Sequence, residues 1–110
     1  MKNLTIQQKL YDLMKWFFPI VDNFPKYEKF VLCTQIKNLV LEISKLIIEA
    51  NKSKSKVRFL NRIDVKIEQL RMLIRFAHDR KYLSHKKYEN VSKKIDEIGR
   101  MLGGWIKSCL

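Results

Sequence analysis

Apolar side chains return along this chain at alternating intervals of three and four residues, the spacing that puts one side chain per turn on a single helical face. A first stripe runs Ile6, Leu10, Leu13, Phe17, Ile20, Phe24, and a second runs Cys33, Ile36, Val40, Ile43, Ile47, Ala50. A third runs Leu60, Ile63, Ile67, Leu70, Ile74, Ala77, and a fourth runs Tyr88, Val91, Ile95, Ile98, Leu102, Trp105, Cys109. Thr5 followed by Gln8 predicts a capping box at the start of the first helix, and Ser84 predicts the cap of the fourth. Pro19 removes one helical hydrogen bond and predicts a kink or break there, with Asn23-Phe24-Pro25 ending the element. The polar run Asn51 to Lys56 reads as a solvated linker, and the third helix is expected to stop near His78-Asp79-Arg80-Lys81. No strand pattern competes. Four helices of about 18 to 25 residues, or about 27 to 38 Å each, bury their stripes most simply as an antiparallel four-helix bundle, a single all-α domain over residues 1–110.

Some apolar residues fall outside these stripes. On a helical wheel Leu73 and Phe76 point away from the third stripe, while Leu39 and Leu46 flank the second. Some of these simply widen the core, but large apolar side chains outside a complete stripe suggest a second buried face, which in a small bundle usually means contact between subunits.

Charge changes the picture further. Lys and Arg number 23 against 11 Asp and Glu in 110 residues, a net of +12. Residues 51–110 hold 16 basic and 6 acidic side chains against 7 and 5 in residues 1–50, so the second half carries nearly all of the excess. Arg58, Arg62 and Lys66 line one flank of the third helix and Arg71 and Arg75 the other. Lys52, Lys54 and Lys56 in the linker, with Arg80-Lys81, Lys86-Lys87 and Lys93-Lys94, add to the same half. For any one of these residues an ordinary solvated helix face is the simpler reading, and Asp64, Glu68 and Asp79 lie close enough to pair with several. As a set they are a surface for RNA or DNA backbones that does not read sequence. Binding to acidic protein partners is the rival. Adsorption to a membrane is disfavoured, because each helix has a better place to bury its apolar face.

Catalytic chemistry finds no foothold. His78 and His85 stand seven residues apart across an expected turn, with no triad or metal-ligand spacing around them. The glycines lie only at 99, 103 and 104, so there is no phosphate loop. Gly99 and Gly103 would let a neighbouring backbone approach; alternatively Gly103-Gly104 loosens or ends the helix. Trp105 reads as a core plug or an interface anchor. Cys33 and Cys109 read as packing residues, no cofactor is implied, and the apolar run Trp16 to Val21 is broken by Pro19. With neither a leader core nor a spanning segment after Met1-Lys2, the chain is expected to be cytoplasmic.

The last helix carries a more specific pattern. Asp96-Glu97-Ile98-Gly99-Arg100-Met101-Leu102-Gly103-Gly104-Trp105-Ile106 resembles the EIGRxLGGW signature of Avd, the accessory variability determinant of diversity-generating retroelements. Leu70-Arg71-Met72-Leu73-Ile74-Arg75-Phe76 is similar to that family's LRxLxRF helix, followed by a YLS turn (Tyr82-Leu83-Ser84) and a helix carrying Tyr88. Phe18-Pro19-Ile20 and Phe24-Pro25-Lys26 before a long helix fit the same pattern. A sister group of four-helix proteins, encoded by intervening sequences in large-subunit ribosomal RNA genes, shares the GRML core and the YLS turn; Trp105 with the pair Arg71 and Arg75 favours Avd. The resemblance implies a ring-like homopentamer that binds the retroelement's reverse transcriptase and its RNA or DNA. It also implies support for error-prone copying of a template repeat without catalytic activity of its own. The residues expected to meet nucleic acid or polymerase are Lys52, Lys54, Lys56, Arg58, Arg62, Lys66, Arg71 and Arg75. Those expected between subunits are Leu73, Phe76, Gly99, Gly103 and Trp105.

Overall fold

A computed structural model describes residues 3–110; Met1-Lys2, read above for a leader segment, lies outside the described residues. Four helices follow one another: α1 (Leu4–Asp22), α2 (Leu32–Lys52), α3 (Val57–Asp79) and α4 (His85–Ser108), with one turn of 3-10 helix at Lys26–Glu28. Each coincides with one apolar stripe. No strand occurs among the described residues.

The ends are set by local chemistry. Ser84 caps α4 as expected, its hydroxyl accepting from the Lys87 N–H at 3.2 Å. The expected Thr5 capping box is not formed. Asn3 caps α1 instead, its Oδ1 accepting from Ile6 N at 3.1 Å, and Thr5 lies inside the first turn. Asparagine wins because a second bond holds it in place: the Asn3 N–H donates to Asn51 Oδ1 at 2.6 Å. Asn51 is accordingly buried within the last turn of α2, not a residue of a solvated linker. The connection to α3 is only Ser53–Lys56.

Pro19 does not break α1, which runs unbroken to Asp22. Its ring is exposed, as is Lys15, the residue whose carbonyl a proline at this position leaves without a helical donor. Asn23 closes the helix through its own amide, donating to Ile20 O, and through its side chain, donating to Pro19 O. At the end of α3, Lys81 takes a left-handed φ of 64°. The next amide, Tyr82 N, then donates back to Ala77 O at 2.9 Å, a reversal that swings Leu83 into the core.

α2 and α4 each pack against both α1 and α3, so the helices stand at the corners of a square and alternate in direction. The bundle measures 42 × 24 × 20 Å. Its core takes the stripe residues of all four helices together with Leu39 and Leu46, which widen the buried face of α2. Leu73 packs against the edge of this same core and is half-buried, so only Phe76 of the off-stripe pair stands mainly in solvent. Cys33 lies in the core, its thiol 3.4 Å from Val21 O, and burial pushes that thiol up from its ordinary pKa.

Candidate nucleic-acid interface

Each of the four helix–helix seams carries one ion pair: Lys9–Glu97 between α1 and α4, Lys37–Asp22 between α1 and α2, Lys66–Glu42 between α2 and α3, and Arg71–Asp96 between α3 and α4. Such partly exposed pairs are individually worth about 0.2–1 kcal/mol. Their greater effect is on which cations stay available. α3 sits between α2 and α4, so the two arginine and lysine flanks read from its sequence are two seams. Lys66 donates to Glu42 Oε2 at 2.9 Å. Arg71 donates through Nη1 to Asp96 Oδ1 at 2.5 Å, while its Nε lies 3.3 Å from Glu68 Oε1 without the alignment of a hydrogen bond. Arg75 has a loose neighbour in Asp79 at 4.0 Å and remains solvated.

Lys56 also serves the fold. Its Nζ donates to the carbonyls of Ala50 at 2.8 Å and Ser53 at 2.6 Å, which satisfies acceptors that the end of α2 would leave open. Of the eight expected contact residues, Lys52, Lys54, Arg58 and Arg62 are therefore exposed and unpaired among the described residues. Arg58 rests its guanidinium 5.0 Å over the Phe59 ring, which leaves the charge outward. These four gather at the α2–α3 end of the bundle and run onto the outer face of α3. Among the eight expected contact residues they are the ones with no carboxylate or backbone partner among the described residues.

The outer face of α3 also holds Val65, Met72 and Phe76, which are 56%, 64% and 48% exposed. Spacings of seven and four residues align them opposite the core stripe, directly beyond Arg58 and Arg62. Val65 and Met72 were legible on the same wheel that singled out Phe76 but do not enter the expected interface. Across the molecule, Leu4, Tyr11, Met14 and Ile48 line an open groove of about 460 Å³ between α1 and α2.

Two members of the expected subunit interface make close contacts within the chain itself. Trp105 is only 4% exposed and plugs the core near the end of α4, which corrects its assignment to a subunit contact. Its indole N–H meets no acceptor within the chain. Gly99 lies under Arg71: a Cβ there would stand 2.8 Å from Nη2, so the glycine makes room for the guanidinium to cross α4 toward Asp96. The close approach that the structure shows at this glycine is intramolecular. Gly103 has open space around it, and Gly103-Gly104 neither ends nor interrupts α4. The C-terminal end of the helix is Ser108 because tertiary packing of Trp105 and Leu102 outweighs the low helix propensity of glycine.

The two histidines meet at the α3–α4 turn. His85 Nδ1 is 3.4 Å from His78 Nε2, and the His78 ring stacks on Tyr88 with centroids 4.1 Å apart. No group of three or more metal-ligating side chains occurs among the described residues. No helix among them is long and apolar enough to cross a membrane.

An antiparallel four-helix bundle with a cationic end and an apolar strip on its outer face places the chain among the small basic all-α proteins. Within that class the chain belongs to the bAvd-like family, whose model matches residues 4–109 and so spans all four helices. The match agrees with the resemblance carried by Gly99 to Trp105. No curated protein matches the chain.

Proposed function

We propose that this protein is a non-catalytic accessory subunit of a diversity-generating retroelement, acting in the cytoplasm, which binds the reverse transcriptase and holds its RNA and DNA while a template repeat is copied with errors. The observation that carries this reading is the division of labour among the cations. Lys52, Lys54, Arg58 and Arg62 are exposed and without partners among the described residues, although the same helices pair Lys66 and Arg71 with carboxylates. Unpaired cations release counterions from a phosphate backbone; paired ones largely do not. Arg71 and Arg75 drop to secondary positions, the first because it holds the α3–α4 seam.

Assembly follows from the two unlike apolar faces. The ridge Val65, Met72, Phe76 on α3 and the groove between α1 and α2 lie on different sides of one chain, so joining ridge to groove is head-to-tail and closes into a ring when the rotation permits, as in a homopentamer. Gly103 stays with this reading as a position where another backbone has room.

The test is binding of labelled RNA and DNA as a function of salt, for the parent and for a variant with Lys52, Lys54, Arg58 and Arg62 all changed to Gln. The expected result is a steep loss of affinity with salt for the parent and a log–log slope smaller by about 3 to 4 for the variant. An unchanged slope, or a parent that binds no nucleic acid at low salt, overturns the reading. Light scattering that returns a folded monomer for the parent removes the assembly.

A further inference from the structure

The bundle end opposite the lysine linker carries a surface of another kind, and it lies mostly in the weakly charged first half of the chain. Between α1 and α2 the sequence runs Phe24-Pro25-Lys26-Tyr27-Glu28-Lys29-Phe30-Val31, and of these residues only Phe24 is buried. Phe30 leaves 83% of its surface in solvent and Tyr27 69%. A hydrophobic ring left this open has no role in the chain's own packing. Lys29 Nζ stands 5.4 Å over the Phe30 ring. Lys26, Lys29, Phe30 and Lys37 surround a cleft of about 820 Å³ that Val21, Phe24 and Cys33 floor with apolar surface.

The opposing turn continues the same chemistry. Tyr82 packs edge-on against Tyr27 with centroids 6.3 Å apart, and the Arg80 guanidinium lies 5.8 Å over the Tyr82 ring. The Tyr82 hydroxyl donates to Glu28 Oε2 at 2.9 Å, lies 3.3 Å from the Tyr27 hydroxyl and accepts from Arg80 Nε at 3.4 Å. This network reaches Tyr27, which stays largely exposed. It also occupies Glu28, as Lys37 occupies Asp22, so the two acids nearest the cleft are already engaged. Lys26, Lys29, Arg80 and Lys81 keep their charges unpaired among the described residues. Lys81 holds the left-handed backbone position that ends α3, with its side chain exposed.

Aromatic faces and cations gathered at one end of the bundle, beside a cleft, match what unpaired nucleobases require: a π surface to stack on and charge for the phosphates between them. A duplex presents no free base face to Phe30. A bilayer is entered by a protruding apolar loop rather than by a cleft rimmed with lysines. We propose that this end of the bundle is a single-strand-selective site, where unpaired bases stack on Phe30 and Tyr27 while Lys26, Lys29, Arg80 and Lys81 hold the connecting phosphates. The proposal rests on the nucleic-acid reading above and adds to it the form of nucleic acid and a second surface.

Fluorescence anisotropy at low salt tests it, with an oligothymidylate of about 15 nucleotides and a duplex of the same length as probes. Phe30→Ala is expected to lower affinity for the single strand about 5- to 100-fold while changing duplex affinity less than about twofold, and Phe30→Trp to restore it. Circular dichroism on each variant checks that the helices are intact, as the exposure of Phe30 leads one to expect. Equal loss for strand and duplex, or no loss for either, overturns the proposal. So does a Phe30→Ala protein that binds the strand normally but no longer binds anionic vesicles or the polymerase. If the variant lacking the linker cations loses both probes and Phe30→Ala loses neither, this inference fails and the proposed function stands; if the parent binds neither probe, both fail.

Discussion

Where α2 hands over to α3, the chain closes on polar groups: Asn51 ties down the start of α1, Lys56 caps the end of α2, and Trp105 is sealed inside. At the opposite end it closes on rings: Phe24, Tyr27 and Tyr82 pack together, His78 stacks on Tyr88, and Phe30 stands in water. Both ends join helices through short connections, and both are rich in lysine. They differ in where the stabilising groups lie. The first end spends its polar side chains on backbone groups that would otherwise be orphaned, so its remaining cations are surplus to folding. The second end spends its aromatic and acidic side chains on one another, and its surplus is an aromatic face with cations beside it. A charged residue near a helix terminus thus says little about function until its partner is known.

The largest expected effect compares two aromatics, one from each end. Trp105→Ala is expected to cost about 3–5 kcal/mol in chemical denaturation, because it empties a filled position in the core. Phe30→Ala is expected to change stability by no more than about 0.5 kcal/mol. Comparable losses at the two positions would mean that Phe30 is covered in the folded protein and would erase the contrast.

A smaller effect tests the polar closure. Asn51→Ala leaves the Asn3 N–H and its neighbours without their buried partner and is expected to cost about 1–3 kcal/mol by the same measurement. Exchange of the amides in the first turn of α1 should accelerate with it. A stable variant with unchanged exchange would show that the α1 start is held by packing of Ile6 alone.

The smallest effect has the opposite sign. Lys81→Gly relieves the left-handed backbone at the end of α3 and is expected to raise stability by about 0.5–1 kcal/mol while weakening single-strand binding. A destabilised variant would mean that the Lys81 side chain supports the turn, and the two ends would then differ less than their geometry indicates.

Helix boundaries were legible in the sequence to within a few residues, because the period of the apolar stripes and the Ser84 cap are local signals and the structure obeys them. Thr5 misled for the same reason. A capping pattern is scored from four adjacent residues, but Asn3 is fixed by Asn51, 48 positions away. Pro19 produced no break, because the cost of a helical proline depends on its surroundings, and its exposure is a property of the surface.

Of the candidate site, the sequence by itself determined the inventory: a net charge of +12 concentrated after residue 50, the off-stripe Phe76, and the run from Gly99 to Trp105 that marks the family. Only the tertiary structure decided which members of that inventory are available. Lys66 and Glu42 are 24 residues apart and Arg71 and Asp96 are 25 apart, so no local rule pairs them; the antiparallel packing of α3 between α2 and α4 does. The same packing turned Trp105 inward, set Gly99 beneath a guanidinium and left Phe30 outside. Coulomb attraction and burial fall off over a few ångströms of space, whereas sequence records separation along the chain, and folding is what converts one into the other.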